Sequence, residues 1–559
     1  MKKRNLAIVI VLLVSLLVSI GGLTACTTDT ETPPQNTEKP SQTKAPEKTE
    51  EPPAEPVELS LFSAYGIGNL QEEWYESDPL GRKIEEMSGV KMNYEFPTVT
   101  SGDAHDKLSL LLGAGTYPDI IHMDKQDLVK KVIDEKIAIS LDELVDQHGP
   151  AIKDAYGDIL DRIKWDDGKL YFLTTNYGNP SEGENVLPGA TGYTFNFRQD
   201  LWKELGSPEL KTLDDIYDFL VELGEKYPEN TDGQNAYPLG GFVQGWQNTM
   251  DTLIASAGGY HARYYVDDSG QLSYWVRAPW AKDIISFYNR VHREEIIDPE
   301  AFTMDMATWR KEKLGVEKMY AYFGNGWMGR GAEPTYAEKG KEDALMDSIP
   351  FSVVTGQTPR VVEENPLGGK RLIVTDNCEN PEAAVRWMNT LAELNFEVAN
   401  GVEGGIWEMK DGKPQLLDEV VKKYQTGSVL DEEWALDTGF AMYKFMAKTQ
   451  GASEWGTGMI LKDDPYALNN TRVIERQEKL IGLTYDVVPF NALNNGINDD
   501  LSQILALIDT RMQTELYSAI LADTEADSAQ EFEKFINDLD SLGLEQLEEF
   551  WNDNYQAVK

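Results

Sequence analysis

Thirty consecutive residues, Thr27 to Pro56, hold seven Thr, seven Pro, six Glu and three Lys, and not one Ile, Leu, Val, Met or aromatic residue. A segment of that composition cannot bury enough apolar surface to offset the entropy of ordering it. It is expected to be disordered and partly polyproline II, reaching on the order of 90 Å at ~3.1 Å per residue when extended. Any fold must begin after it. At Val57 the composition changes at once: Val57-Glu-Leu-Ser-Leu-Phe62 alternates apolar and polar, the period of a strand. The body spans 57–559, and at ~100–200 residues per domain the chain suggests roughly two to four domains or lobes.

Ahead of the tether stand Lys2-Lys3-Arg4, a nearly pure Ile, Val, Leu and Ala run from Leu6 to Ile20, and Gly21-Gly22-Leu23-Thr24-Ala25-Cys26. A positive start followed by an apolar run too short for a membrane span predicts a signal peptide over residues 1–25. Leu23-Thr24-Ala25-Cys26 resembles the lipobox of bacterial lipoproteins, which implies a lipid on Cys26 and makes residues 26–56 a leash. No second apolar run is long enough to cross a bilayer, so that lipid is the expected membrane attachment. A leash of this length suits the outer face of a Gram-positive cell.

Charge and motif content exclude several functions. The 95 Asp and Glu against 51 Lys and Arg give a formal charge of −44, and loss of residues 1–25, with three positive and no negative side chains, would leave −47. Such a chain is a poor partner for nucleic acid, whose binding rests on neutralising phosphates. With only Cys26 and Cys378 there is no disulfide framework or Cys-rich zinc site, and the five histidines include no His-x-x-x-His pair. Nucleophile-elbow, zincin and P-loop patterns are absent. Pairs such as Asp166-Asp167 say nothing about glycosidase chemistry, which depends on spatial separation and a perturbed pKa. No catalytic residue and no cofactor is predicted.

Along the body, strand-like runs alternate with amphipathic helices, predicting an α/β fold with mostly parallel sheets. Ser140-Leu-Asp-Glu143, Thr212-Leu-Asp-Asp215 and Ser528-Ala-Gln-Glu531 read as helix starts, and Asn380-Pro381 as another. The spacing of Leu213, Ile216, Leu220 and Leu223 predicts one core-facing stripe. Trp387 falls on the apolar face of its helix and reads as core. Gly543 separates the last two helices. The 177–192 stretch, rich in Gly, Pro and Asn, reads as a surface loop or a crossing between lobes.

Several Trp residues sit beside glycines: Trp246, Trp327, Trp407 and Trp455. A Trp held on a turn can stack its flat face on the C–H face of a sugar ring while neighbouring carboxylates and amides bond the hydroxyls. Each can equally be a large core or rim residue. Tyr65 and Asp124 follow strand-like runs, where ligand residues of open α/β sheets gather. Trp246, Trp327, Trp407 and Tyr65 are thus the aromatic candidates for ligand binding, with Glu403, Arg330 and Asp124 as polar partners.

Taken in order, Asp106-Lys-Leu-Ser-Leu-Leu-Leu-Gly-Ala-Gly-Thr-Tyr-Pro-Asp-Ile-Ile121, Gly168-Lys-Leu-Tyr171, Phe197-Arg-Gln-Asp-Leu-Trp-Lys-Glu-Leu-Gly206, Asn380-Pro-Glu-Ala-Ala-Val-Arg-Trp387, Gly401-Val-Glu-Gly-Gly405 and Leu542-Gly-Leu-Glu-Gln-Leu547 resemble segments of the family 1 extracellular solute-binding lipoproteins. The likeness is strongest to the LipO-like and alginate-oligosaccharide-binding subgroup that serves carbohydrate ABC importers. It implies a two-lobed, periplasmic-binding-protein-like α/β fold of type 2, with a hinge and an interlobe ligand cleft. On that template lobe one is 57–176 plus 351–434 and lobe two 177–350 plus 435–559. The implied partners are an oligosaccharide, the permease subunits and, through the lipid, the membrane; a monomer is expected. A binding protein for peptides or another polar solute, a sensor, and a surface glycoside hydrolase or lyase are the alternatives. Relatives often carry a calcium loop where this chain reads Tyr227-Pro-Glu-Asn-Thr-Asp-Gly-Gln-Asn-Ala-Tyr-Pro-Leu239. Tyr227 and Ala236 replace its first Asp and last Glu, leaving Glu229, Thr231 and Asn235 as aligned oxygen ligands, so calcium is expected to be lost.

Overall fold

The computed structural model describes residues 56–65, 78–95, 101–175, 193–243, 249–330, 332–341, 343–362, 367–410, 413–419, 443, 446, 479–480, 482–485, 487–491, 493–494 and 496–559. The signal segment, Cys26, the leash up to Glu55, the 177–192 stretch, Trp246 and Trp455 lie outside these residues, as do the side chains of Trp327 and Arg330. No helix among the described residues is long and apolar enough to cross a membrane.

The alternating run at Val57 forms the strand Val57–Ser63, in which Leu59, Leu61 and Phe62 are buried and Val57 is half-buried. It lies in a five-stranded sheet of order Val90–Glu95, Val57–Ser63, Ile120–Met123, Lys370–Val374, Leu173–Thr175. The first three strands run parallel, in the register Leu61 to Ile120 and Ser63 to His122. Lys370–Val374 is antiparallel to both of its neighbours. A second sheet has the order Met346–Ile349, Thr194–Arg198, Met319–Gly324, Tyr237–Gly240, and only its last pair is parallel. The sheets are therefore mixed rather than mostly parallel. The helix-and-strand alternation read from the sequence is present, but strands that return from distant chain segments enter in the opposite sense.

Each sheet carries its own core. The first holds residues between Leu59 and Leu173, then Leu372 to Val398, with Tyr443 and Met446. The second holds residues between Phe195 and Val353, then Phe490 to Tyr555. The chain thus alternates between two cores, passing from the first to the second, back, and out again. Phe351 and Val353 pack in the second core and Tyr443 and Met446 in the first. The other face of the second sheet is covered by Phe242, Trp309, Met328 and Tyr336. The last 60 residues complete the second core: Phe532, Phe535, Trp551 and Tyr555 return to the aromatic layer of Trp275 and Trp280. Asn289 Nδ2 donates to the carbonyls of Ile520 and Ala522 at 3.0 and 2.7 Å, locking that return.

Local signals are obeyed where the surroundings allow. Thr212 forms a full capping box with Asp215, and Leu213, Ile216, Leu220 and Leu223 are buried. Trp387 is fully buried on the helix Pro381–Glu393, although Asn380 caps it without a side-chain bond. Two starts are misplaced. The helix at Asp142–His148 begins after Leu141, whose N–H donates to the Leu170 carbonyl at 2.7 Å; Ser140 Oγ donates to Asp142 Oδ2 instead of capping. The helix Glu525–Leu542 begins at Thr524, which accepts from the Asp527 N–H, so Ser528 lies inside it and is buried. Gly543 takes a left-handed φ of 107° and separates it from Leu544–Val558.

Candidate functional site

The C-terminal ends of parallel strands are where an open α/β sheet presents loops and unpaired backbone groups to a ligand. In the first sheet the strands Val57–Ser63 and Ile120–Met123 end side by side, delivering Tyr65 and Asp124. The antiparallel strand adds Lys370 and Arg371 at the same edge, paired with Thr175 and Met123. The helix Ser101–Ala114 brings His105, whose Nε2 lies 3.1 Å from Asp124 Oδ1. His122 stands edge-on to the Tyr65 ring at 5.2 Å between centroids, and Lys370 Nζ sits 4.8 Å from the centre of that ring.

These side chains differ sharply in exposure and charge. His122 is fully buried, 2.9 Å from Ser63 Oγ through Nδ1 and 3.2 Å from Thr175 Oγ1 through Nε2. Burial, with the charge of Lys370 behind it, pushes its imidazole down to about 3, so it is neutral at any ordinary pH. Burial and the Asp124 carboxylate raise the Tyr65 phenol well above its usual range. Burial alone would raise Asp124 as well, but hydrogen bonds from His105 and Tyr65 and the Lys370 charge hold it below its ordinary value. Asp124 remains 44% exposed, an ionised acceptor beside the buried His105 and His122 and the half-buried Tyr65, Lys370 and Arg371. An aromatic ring, an exposed carboxylate and two cations at one sheet edge can hold a polar, ring-shaped solute by stacking and charge-assisted hydrogen bonds.

The second sheet has a comparable edge. Tyr237–Gly240 and Met319–Gly324 run parallel and end together, with Thr194 opposite Gly324. Trp327 lies just beyond, in the short helix Gly326–Arg330. The glycines that flag it in the sequence have a packing reason of their own. A Cβ at Gly326 would stand 2.6 Å from Ser348 Oγ, and one at Gly329 2.8 Å from the Tyr322 ring.

Sequence reasoning therefore placed Tyr65 and Asp124 together and missed His105, His122, Lys370 and Arg371. A histidine inside the strand Ile-Ile-His-Met reads as core, and Lys370-Arg371 lies almost 250 residues from Asp124, so only pairing of the strands unites them. Trp407 is a correction. It is 4% exposed, packs edge-on against Phe396 at 4.8 Å, and donates its indole N–H to the Gly401 carbonyl at 2.9 Å. With both faces covered it holds the Gly401 turn rather than offering a platform. Glu403 is exposed, but its Oε1 accepts the Met409 N–H at 3.0 Å, closing the same turn.

Two principal sheets, each with its own core, and a polar aromatic edge on the first are the features to be compared with known proteins. Residues 78–393, more than half of the chain, match the family profile of the bacterial extracellular solute-binding proteins. The chain belongs to that family. No curated protein matches it. Among solved structures, a Streptococcus pneumoniae ABC-transporter substrate-binding protein, the FusA EF-hand mutant in complex with fructo-nystose, is 17% identical over 90% of this chain and 100% of its own, with a TM-score of 0.64. The human-milk-oligosaccharide-binding solute-binding protein of Bifidobacterium longum infantis is 15% identical over 89% and 98%, TM-score 0.62. The alginate-binding protein AlgQ2, in a structure without calcium ion, is 17% identical over 90% and 98%, TM-score 0.59. At these identities the likeness establishes the fold: the two-lobed α/β architecture of substrate-binding proteins. The family is one of binding proteins, so the chain is assigned no catalysis.

Membership in this solute-binding family raises the question of calcium at residues 227–239, and the residues present do not fit it. Asn230 Oδ1 accepts the N–H groups of Asp232 and Gln234 at 3.0 and 2.9 Å, Tyr227 donates its hydroxyl to Glu204, and the side chains of Glu229 and Asn235 are exposed. A hard dication asks for six to eight converging oxygens. Three cationic side chains, Arg198, Lys339 and Lys341, converge here instead. The adjoining pocket of about 850 Å³, bordered by Lys203, Tyr227, Thr231 and Lys341, opens at the Arg198 end of the second sheet. It therefore lies at the opposite edge from Gly324, and its volume alone does not make it the solute site.

Proposed function

We propose that this solute-binding protein captures an oligosaccharide between its lobes and delivers it to an ABC permease. The observation that carries the reading is the gathering of Tyr65, Asp124, Lys370 and Arg371 at the ends of the first sheet's strands. Asp124 accepts sugar hydroxyls, and Tyr65 contributes its ring. Trp246, Trp327 and Arg330 are the further ligand candidates of the sequence, the last two on the short helix Gly326–Arg330 that follows a strand end of the second sheet. The lobes follow 57–176 plus 351–434 and 177–350 plus 435–559, with the boundaries moved so that Phe351 and Val353 stay with the second lobe and Tyr443 and Met446 with the first, and they close by a hinge. Neighbours of the same fold with oligosaccharide ligands, such as the FusA complex with fructo-nystose, support a sugar over a peptide.

Cys26 carries the lipid, and residues 27–56 tether the body to the outer face of a Gram-positive membrane. The protein acts as a monomer. A Cys26→Ala variant expressed with its own leader is expected in the culture medium rather than in the membrane fraction; retention in the membrane would defeat the anchor.

The ligand test is a thermal-shift screen against neutral oligosaccharides, because binding to the folded state raises the melting temperature by mass action. Asp124→Asn is then expected to lower affinity for the best glycan by about tenfold, or ~1.4 kcal/mol, by more than any loss of stability of the free protein. If peptides raise the melting temperature and no oligosaccharide does, the sugar reading fails.

A further inference from the structure

The loop at 227–236 is ordered by the chain itself. The Gly233 N–H donates to the Asn230 carbonyl at 3.0 Å with Gly233 at φ 70°, and the Ala236 N–H donates to the Pro228 carbonyl at 2.9 Å. Asn230, 7% exposed, donates its amide to the Val316 carbonyl at 2.9 Å, fastening the loop to the next turn. There Glu317, in the left-handed region at φ 61° and 2% exposed, sets its carboxylate under Thr231. Thr231 Oγ1 stands 3.3 and 3.2 Å from the two carboxylate oxygens.

The ammonium of Lys341 closes this arrangement. It hydrogen-bonds Glu317 Oε2 and donates to Thr231 Oγ1 at 2.5 Å. Arg198 Nη1 lies 3.5 Å from Glu317 Oε2, and Lys339 Nζ lies 3.9 Å from Oε1 and 3.8 Å from Asp232. Arg198 is itself paired with Asp200 at 2.6 Å. Three cations therefore face three carboxylates, those of Asp200, Asp232 and Glu317. A dication bound at Glu317 would have to displace Lys341 from Oε2 and would stand beside the positive charges of Arg198 and Lys339 as well.

We infer that Lys341 is the built-in cation of this loop, joining Thr231 to Glu317 in the way a bound metal would, so that the lobe folds and works without divalent metal. The inference concerns the loop alone and stands whichever solute the cleft takes. For an extracellular protein the consequence is functional: chelating surroundings leave its stability and ligand affinity untouched.

The experiment compares melting of the purified soluble body in millimolar calcium chloride and in excess EDTA. The two curves are expected to coincide within about 1 °C, since a ligand that does not bind the native state shifts nothing. A rise of several degrees with calcium, or calorimetric binding at micromolar concentration, would overturn the inference without touching the sugar reading. Lys341→Met is expected to lower the melting temperature by roughly 5 °C, because it strips a buried carboxylate of its closest cation. Thr231→Val removes one acceptor and gives a smaller fall. A Lys341→Met protein that melts like the wild type sinks the proposal; should that variant fail to fold, the calcium comparison and Thr231→Val still decide.

Discussion

His122 shows how one residue can be chemically ordinary in sequence and unusual in place. Its neutral imidazole bridges Ser63 and Thr175 across the strands, with no room for a proton's charge. Its folded pKa, about 3, is below the ordinary 6.5, so the unfolded chain binds a proton that the native state refuses between those values. The stabilisation is present above pH 6.5 and is lost as pH falls toward 3. Below about pH 6 this group should remove about 1.4 kcal/mol of stability per pH unit. His122→Gln, which keeps hydrogen-bonding capacity without titrating, should flatten the slope by that amount. Urea melts of both proteins at pH 7, 6 and 5 measure it, and equal slopes would refute the argument. At the same scale, the glycine signature around Trp327 is now partly explained by Ser348 and Tyr322, whose side chains occupy the space of a Cβ.

Among the elements, helix starts distinguish what a local pattern can and cannot decide. Thr212-Leu-Asp-Asp215 and Thr524-Glu-Ala-Asp527 both present a threonine followed three residues later by an aspartate, and both cap. Ser528-Ala-Gln-Glu531 matches the capping-box pattern equally well but sits one turn inside the helix, where Ser528 is buried. Helical register is fixed by which face meets the core, and Phe532, Phe535 and Leu539 set it here. Thr524→Ala should cost about 1 kcal/mol, whereas Ser140→Ala, whose hydroxyl caps nothing, should fall within about 0.5 kcal/mol; chemical denaturation distinguishes them. The sheets carry the same lesson. Alternation in Val57–Phe62 reveals a strand, but the sense in which strands join its sheet does not show in that pattern: Lys370–Val374, returning from about 250 residues away, enters antiparallel beside Ile120–Met123.

Across the whole molecule, long-range closure holds the first core together. Asp78 caps the helix Pro79–Ser88 through its Oδ1, 3.0 Å from the Leu80 N–H, and its Oδ2 accepts the Tyr443 hydroxyl at 2.7 Å. Both residues are buried and stand 365 positions apart. A Cβ at Gly81 would meet that oxygen at 2.6 Å and the tyrosine hydroxyl at 2.8 Å, so only glycine leaves room for the bond. Tyr443→Phe should cost about 1–3 kcal/mol, because it leaves a buried carboxylate oxygen short of a donor. A denaturation midpoint equal to that of the wild type would show the bond to be dispensable.

The sequence by itself determined the start of the folding body at Val57, because the segment before it has no Ile, Leu, Val, Met or aromatic residue to bury. It fixed the amphipathic stripes, the fully buried Trp387 and, through ordered motifs, the solute-binding family. It also brought Tyr65 and Asp124 forward, since both follow strand-like runs and strand ends are where ligands bind. Only the tertiary structure decided strand direction, the burial of Trp407, the joining of His105, His122, Lys370 and Arg371 to that edge, and the place of Lys341 between Thr231 and Glu317. Propensity and patterning act over a few residues, whereas most of these outcomes arise from contacts between segments 24 to about 300 positions apart, whose proximity exists only once the two cores have formed.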